Sequence, residues 1–383
     1  INPKKDNGYR EYDYLCATSL SYFFLDLLIK KIKSKINISD YLIYVLLATV
    51  CDVMPLRKLN RLIALNALKN FDITKNLPLN TLFKLNEKKN KININDLGYL
   101  IGPILNAGGR LGKSQYATEL LSSNNDLVVN DRSKSLIKLN DKRKEIENLI
   151  LEEIDFKKIE KENKDVIIYY NPNINEGLIG IIAARLKDYF NKPSFVITAS
   201  NELLKGSARS IYNYNIGRVI KNSLDKNIII KGGGHNMAAG FTLDKVNLKD
   251  FENYILEDFL KSNISHDNIF SYESEVSSLA LNQDFYEDLK KLEPFGTGNP
   301  VPTFMLRDLR IIKPIVLNNK HISVILKSKT GHSIKSISFN SINTKIGEHL
   351  INYKDNLNII GQINENIWNN KKTLQLTIRD LIL

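Results

Sequence analysis

The spacing of apolar positions divides the chain into a helical first third, an alternating middle and a strand-rich tail. Leu15, Phe23, Leu27 and Leu28 recur at helical spacing, and a second helix is predicted over 39–49 with Ser39 as its N-cap. Pro55 interrupts the pattern, after which helices are expected over 60–69 and up to about Asn106. A charged stretch over 131–154, with Leu136, Ile146 and Leu149 on one stripe, predicts a long connecting helix. From Val166 the period shortens: strand 166–170, helix 180–190, strands 194–198 and 205–211, then the run Ile228-Ile229-Ile230 leading into glycines. This reads as an α/β region ending near Phe259. Apart from a helical signal over 284–292, the tail shows five short strands, over 304–312, 321–326, 333–339, 356–363 and 373–378. Five short strands separated by turn-rich segments predict a small antiparallel barrel of the oligonucleotide-binding kind.

Composition adds a partner class to this outline. The chain has 383 residues, enough for more than one core, and its 54 Lys and Arg against 42 Asp and Glu leave a formal charge of +12. That excess favours a polyanion, although the abundance of Lys, Asn and Ile also fits a biased base composition. Cys16 and Cys51 are too few for a disulfide framework, and their apolar surroundings predict buried thiols in a reducing compartment. No apolar run reaches the roughly 18 residues of a membrane span, and the segment beginning Ile1-Asn2-Pro3 lacks the apolar centre of a signal peptide. A cytoplasmic protein with no membrane partner is expected.

Four segments carry candidate chemistry. Gly232-Gly233-Gly234-His235 follows an apolar run and precedes Ala238-Ala239-Gly240. As a turn before a small-residue helix start, it would aim backbone N–H groups of Gly233 and Gly234 at a phosphate, with His235 as donor or acid. Lys205-Gly206-Ser207-Ala208-Arg209-Ser210 puts Ser207 and Arg209 on one face of a strand, with Ser210 as a further hydroxyl. Asn106-Ala107-Gly108-Gly109-Arg110-Leu111-Gly112 sets Asn106 and Arg110 among small residues at a helix end, suited to phosphate binding or simply to a C-cap. Asp52 is the one acid in the otherwise apolar 48–56 segment, which makes it either a hard-cation ligand or an N-cap. The histidines, His235, His266, His321, His332 and His349, are dispersed and include no metal-ligand pair.

Taken in order, these segments resemble the later motifs of the RecJ family, single-strand-specific 5′ to 3′ exonucleases of the DHH phosphoesterase superfamily. Residues 48–56 with Asn60-Arg61 are similar to the family's fourth metal-site motif, 106–112 to its Asn-Ala-x-Gly-Arg motif, 205–210 to its Gly-Ser-x-Arg-Ser motif, and 232–240 to the DHHA1 signature. Asn140 to Arg143 falls where the family's interdomain helix lies, and Pro294-Phe295-Gly296-Thr297-Gly298-Asn299-Pro300 resembles its approach to an OB-type barrel. Two departures stand out. The Asp-His-His triplet and the Asp-rich segment are absent, and Ile1-Asn2-Pro3 resembles the residues directly after that triplet, so a chain truncated at its N-terminus is expected. Asn175 stands where the family usually has His.

The resemblance implies an α/β protein: the C-terminal part of a DHH domain over 1–130, a connecting helix over 131–154, an α/β DHHA1 domain over 155–260 and a small antiparallel OB-type barrel over 268–383. It implies hydrolysis of single-stranded DNA from the 5′ end with Mn2+ or Mg2+, in repair and recombination, beside single-strand-binding protein and a helicase. In that picture Asp52 binds metal, the other ligands preceding Ile1. Asn106, Arg110, Ser207, Arg209, Ser210, Gly233 and Gly234 hold phosphate or DNA, and His235 meets the reacting or terminal phosphate. The chain by itself is expected to be inactive. The alternatives are a non-catalytic single-strand binder and a DHH-family phosphodiesterase acting on short oligonucleotides or cyclic dinucleotides.

Overall fold

The computed structural model describes residues 2, 3, 5, 11–89, 91–262, 264, 271–342, 344–353, 355–368 and 371–382. Ile1, His266 and residue 268, where the tail region is placed, lie outside them. The chain forms two compact units: Ile1–Phe71 with Ile92–Leu97 and Asn268–Leu383, and Asp72–Lys91 with Gly98–Asp267.

In the first unit, helices α1 (Ala17–Lys31), α2 (Leu42–Cys51) and α3 (Lys58–Asn70) follow the apolar spacing. The most apolar, α2, buries Ile43, Val45, Leu46 and Leu47. Ser39 is not its cap: Asn37 Oδ1 accepts from the Ser39 N–H at 3.3 Å and opens a short 3-10 turn before the helix. On α1 the expected stripe is only partly buried, with Leu27 67% exposed. Asn60, buried on α3, donates to the carbonyls of Tyr14 at 2.8 Å and Pro55 at 3.1 Å. Cys16 is buried as expected, whereas Cys51 is half-buried.

The second unit opens with α4 (Leu77–Leu85), α5 (Gly102–Arg110), α6 (Gln115–Ser122), the 28-residue α7 (Asp126–Glu153) and α8 (Phe156–Glu162). Asn125 starts α7 by accepting from the N–H groups of Leu127 and Val128. An α/β layer follows: β1 (Ile167–Tyr170), α9 (Ile179–Phe190), β2 (Ser194–Ser200), β3 (Leu203–Arg209), α10 (Ile216–Asp225), β4 (Lys231–His235), β5 (Ala238–Asp244) and α11 (Leu248–Lys261). The sheet order is β1-β2-β3-β5-β4, with β1–β2 parallel and the other seams antiparallel. Strand alternation gives the sheet two apolar faces. Phe195, Ala208, Phe241 and Leu243 pack in one core with Phe251 and Ile255 of α11 and Val219 and Ile220 of α10. Ile167 and Val196 meet Ile179, Ile182 and Leu186 of α9 in the other.

Two expectations fail here. The glycine run is not a turn after a strand but the strand β4 itself, and residues 238–240 begin β5 rather than a helix. Glycines have little strand preference of their own, so tertiary packing makes this strand. A Cβ at Gly217 of α10 would lie 2.9 Å from the Gly234 carbonyl carbon, and one at Gly232 would lie 2.6 Å from Ile220. Only glycine lets α10 and β4 approach so closely.

The remainder of the first unit is the barrel, preceded by β6 (Ser274–Glu275) and α12 (Gln283–Lys290). Strands β7 (Phe304–Leu317), β8 (His321–Ser328), β9 (Ser333–Ser338), β10 (Leu357–Trp368) and β11 (Lys371–Ile382) close on themselves through β10–β7. The seam β11–β9 is parallel and the others antiparallel. Leu306, Leu309, Val324, Leu326, Ile359 and Leu376 fill the interior. A helix that the apolar spacing does not predict, α13 (Lys345–Asn352), lies between β9 and β10 and buries Leu350. Among the described residues no helix is long and apolar enough to cross a membrane.

Candidate phosphate site

The site grows from the register of β3, β5 and β4. Residues paired across antiparallel strands point to the same face. Arg209 pairs with Ala238, which pairs with His235, and Ser207 pairs with Gly240, which pairs with Gly233. Ser207, Arg209, Ala238, Gly240, Gly233 and His235 therefore share one face, the face that Val196 presents to α9. Past β3 that face carries only small side chains up to His235. A Cβ added at Gly233 would meet nothing within 4 Å, and one at Gly240 only a carbonyl oxygen at 3.9 Å. Packing does not require glycine at either position; what their absent side chains leave is a shallow trough. At about 4.8 Å per strand, His235 stands about 10 Å across it from Arg209.

Arg209 is held at the covered edge. Its Nη1 donates to Ser207 Oγ at 3.1 Å and to the Ala208 carbonyl at 2.9 Å. Above them sits the start of α9, where a Cβ at Gly180 would come 3.0 Å from Arg209 Nη2 and 3.1 Å from Ser207 Oγ. No side chain caps α9, so its first N–H groups have no side-chain partner and its positive end lies beside these residues.

Arg110 arrives from the C-terminus of α5. Its Nη1 donates to the Gly177 carbonyl at 3.2 Å, and Gly177 presses so closely that a Cβ there would lie 2.2 Å from the Arg110 carbonyl oxygen. Asn175 shapes that turn by accepting from the Gly177 N–H at 2.8 Å. Asn106 is exposed one helical turn before Arg110, on the same side of α5. Burial, then the neighbouring Arg143, push the Arg110 pKa below its ordinary value, and Glu147 partly offsets them. Burial and then Arg110 do the same to Arg209. Neither arginine has an ion-pair partner among the described residues. Both remain protonated at neutral pH, so the shifts register half-buried positive charge that an anion would relieve.

His235 is exposed, and its Nδ1 accepts from the Met237 N–H at 3.3 Å. In the neutral ring this places the proton on Nε2, making that nitrogen a donor.

Two expected residues do not join the site. Ser210, one position beyond Arg209, is buried on the other side and donates to the Tyr214 carbonyl at 2.6 Å. Gly234 faces the α10 core, where a Cβ would meet Ala238 O at 2.3 Å. Sequence reasoning missed Gly177, Gly180, Glu147 and Arg185. The last two belong to a network in which Arg143 donates to Glu147 at 2.6 Å and Arg185 donates to the same carboxylate at 2.7 Å.

Asp52 belongs to the first unit. It is neither buried nor an N-cap: it is exposed and ends α2 as the C-cap residue. Val53 follows at φ 56°, with Val53 N–H on Val50 O at 3.1 Å and Met54 N–H on Thr49 O at 2.9 Å. This is a Schellman turn with valine where glycine is usual. The turn is braced within its own unit, where Leu56 N–H donates to Thr297 O at 2.6 Å and Arg61 donates to Glu293 O at 2.9 Å. Burial and then Asp52 push the adjacent Cys51 thiol up to about 11. Among the described residues no three His, Cys, Asp or Glu side chains stand together as a metal site. A hard divalent ion takes about six oxygen ligands, so Asp52 alone does not fit one.

Comparison with known proteins bears on both units. Residues 163–262 match the DHHA1 domain model and 272–380 the RecJ OB domain model. The chain is 32% identical over 358 residues to the single-stranded-DNA-specific exonuclease RecJ of Haemophilus influenzae, covering 89% of this chain and 61% of that protein. The chain thus carries a DHHA1 domain and a RecJ-type OB domain, and it resembles RecJ proteins over most of its own length. RecJ of Bacillus subtilis is 28% identical over 87% of this chain and 43% of its own length. The chain thus spans about half the length of the RecJ proteins it matches. The solved RecJ from Thermus thermophilus in complex with Mn2+ shares the fold, with TM-score 0.76 and 22% identity, over 90% of this chain and 49% of that one. Its Mg2+ complex superposes equally well, at TM-score 0.76 and 21% identity over 90% of this chain and 52% of that one.

Proposed function

We propose that this chain carries the phosphate-holding part of a metal-dependent exonuclease that shortens single-stranded DNA from its 5′ end. One observation carries the reading: Arg110, Ser207 and Arg209 converge, with neither arginine in an ion pair among the described residues, beside a sheet face floored by Gly233, Ala238 and Gly240. Two guanidinium groups and a hydroxyl suit the oxygens of one phosphate. The uncapped start of α9 adds backbone donors to the same anion, and His235 Nε2 offers a donor from the opposite side of the trough. The names of the RecJ relatives and the two matched domains support the class. The barrel would hold following nucleotides by charge and stacking.

The matched spans support DHHA1 and OB-type domains over 155–260 and 268–383; the assignment of 1–130 to part of a DHH domain and of 131–154 to the connecting helix rests on the motif resemblance. Mn2+ or Mg2+, when bound, would supply an activated water and steady the leaving oxygen, and Asp52 would contribute one ligand. The described residues hold and orient the phosphate and do not by themselves activate water. Single-strand-binding protein and a helicase are the proposed partners, and the two free thiols favour the cytoplasm as the compartment.

The deciding measurement is calorimetric binding of a 5′-phosphorylated single strand in chelator. Arg209→Ala should weaken it about tenfold to a hundredfold, the worth of a hydrogen bond to a charged group; unchanged affinity would sink the phosphate assignment. A binding-only role is favoured by the solitary Asp52. It predicts salt-sensitive binding without Mn2+-dependent release of nucleotides, whereas release would establish the exonuclease.

A further inference from the structure

We infer that Glu147 and Arg143 on α7 are positioning residues of the phosphate site, whose opposed charges balance the positive field around Arg110; the assignment rests on the phosphate reading of that site. Glu147 is almost fully buried, with a side chain 5% exposed, and both its oxygens are used. Arg143 donates to Oε2 at 2.6 Å and to Asn140 Oδ1 at 3.0 Å, while Arg185 of α9 donates to Oε1 at 2.7 Å. Arg143 is thereby held at both ends of its guanidinium and cannot swing to a ligand. It still stands near enough to Arg110 to disfavour that residue's charge, and Glu147 opposes it.

Contacts join this cluster to the site: Arg110 donates to the Gly177 carbonyl just before α9, the first turn of α9 lies over Ser207 and Arg209, and Arg185 of the same helix holds Glu147, so that Arg143, Arg110 and Arg209 form a row of like charges. One carboxylate, placed behind the row, moderates it. An arginine clamp with no carboxylate near it would hold its product anion tightly as well as its substrate. A buried Glu between two arginines fixes the first member of the row and trims the field reaching the second. Arg185 reports the same balance from α9, the helix whose first turn lies over Ser207 and Arg209.

This assignment makes opposite predictions for the two partners of one salt bridge. The readout is the ratio of affinities for a 5′-phosphorylated and a 5′-hydroxyl single strand, measured in chelator at low salt. Glu147→Gln should raise the ratio and Arg143→Gln lower it, each about two- to fivefold, as expected for a charge that acts without contact. The double variant should return to within about twofold of the parent. Arg185→Gln, at a side chain 57% exposed and so tolerant of change, should lower the ratio as Arg143→Gln does. A bridge that merely ties α7 to α9 would lower the melting temperature of both single variants while leaving the ratio alone or moving it the same way in both. That outcome overturns the inference and leaves the phosphate site standing. A parent protein that binds both strands equally overturns the phosphate reading, and the inference with it.

Discussion

The second unit assembles its candidate site from many elements, whereas the first presents a single exposed carboxylate on a helix end. Arg110, Ser207, Arg209 and His235 come from α5, β3 and β4, and the glycines between them stay open although no neighbour demands it. Around Asp52 the reverse holds: the backbone is fully specified by the Schellman turn and the Thr297 contact, but the side chain makes no hydrogen bond or ion pair among the described residues. Convergence of like charges with only partial compensation is what identifies a ligand site, because folding alone would disfavour it. A well-ordered loop bearing one acid offers no such argument. The comparison therefore separates a site that geometry supports from a residue whose role rests on family likeness.

The strongest way to break the first half of that comparison is Gly177→Ala. A Cβ there would lie 2.2 Å from the Arg110 carbonyl oxygen and 2.9 Å from its carbonyl carbon, with only backbone to give way. We expect a loss of stability of about 3 kcal/mol by chemical denaturation, at the upper end for overpacking, together with loss of phosphate-dependent binding as Arg110 shifts. A variant with parent stability and binding would mean that the turn does not seat Arg110.

A gentler test leaves the fold alone. Gly233→Ala adds a methyl to the trough where nothing lies within 4 Å. Stability should change by less than about 1 kcal/mol, since glycine in a strand already costs about that relative to alanine. Affinity for a phosphorylated strand should fall about five- to tenfold through lost close approach. Parent affinity in this variant would place the ligand elsewhere on the sheet.

Strand parity explains why these residues are legible to different degrees. Ser207 and Arg209 are readable because alternation along an ordinary strand puts them together, and the same rule, carried one residue further, excludes Ser210. Gly233 and Gly234 read as one turn because three successive glycines carry no strand signal. Their strand character comes from pairing with β5 and from the fit of Gly217 against Gly234, neither of which is local in sequence. With β4 a strand, the two glycines fall on opposite faces, and only Gly233 opens on the trough. Glu147 is hidden for another reason. On the charged α7 it resembles Glu145 and Glu152, and only its spacing of four from Arg143 hints at a pair. The barrel is legible because five apolar runs separated by turns mark its strands, although β7, β10 and β11 extend to 14, 12 and 12 residues, beyond the runs that predict them, whereas α13 is eight residues within a polar connection.

Within the first unit, Val53→Gly tests whether the turn after Asp52 is strained. Valine at φ 56° occupies the left-handed region, which costs a residue with Cβ about 1–2 kcal/mol, and part of that gain returns as glycine's extra unfolded freedom. The variant should be stabilised by about 0.5–1 kcal/mol. Destabilisation would show that Val53 makes a contact its 65% exposure does not suggest.

The smallest expected effect belongs to Asp52→Asn and sharpens the comparison most. A carboxylate at a helix C-terminus faces the negative end of the helix dipole, a placement unfavourable by about 0.3–1 kcal/mol, and Asp52 occupies the C-cap of α2 with no compensating partner among the described residues. Removing the charge in metal-free buffer should leave stability unchanged or raise it by up to about 0.5 kcal/mol. A purely structural residue would give the opposite sign. If the carboxylate is kept as a ligand, Mn2+ should raise the melting temperature of the parent by mass action, and the shift should shrink in Asp52→Asn. Equal Mn2+ shifts in both proteins would remove Asp52 from the metal proposal while leaving the phosphate trough untouched.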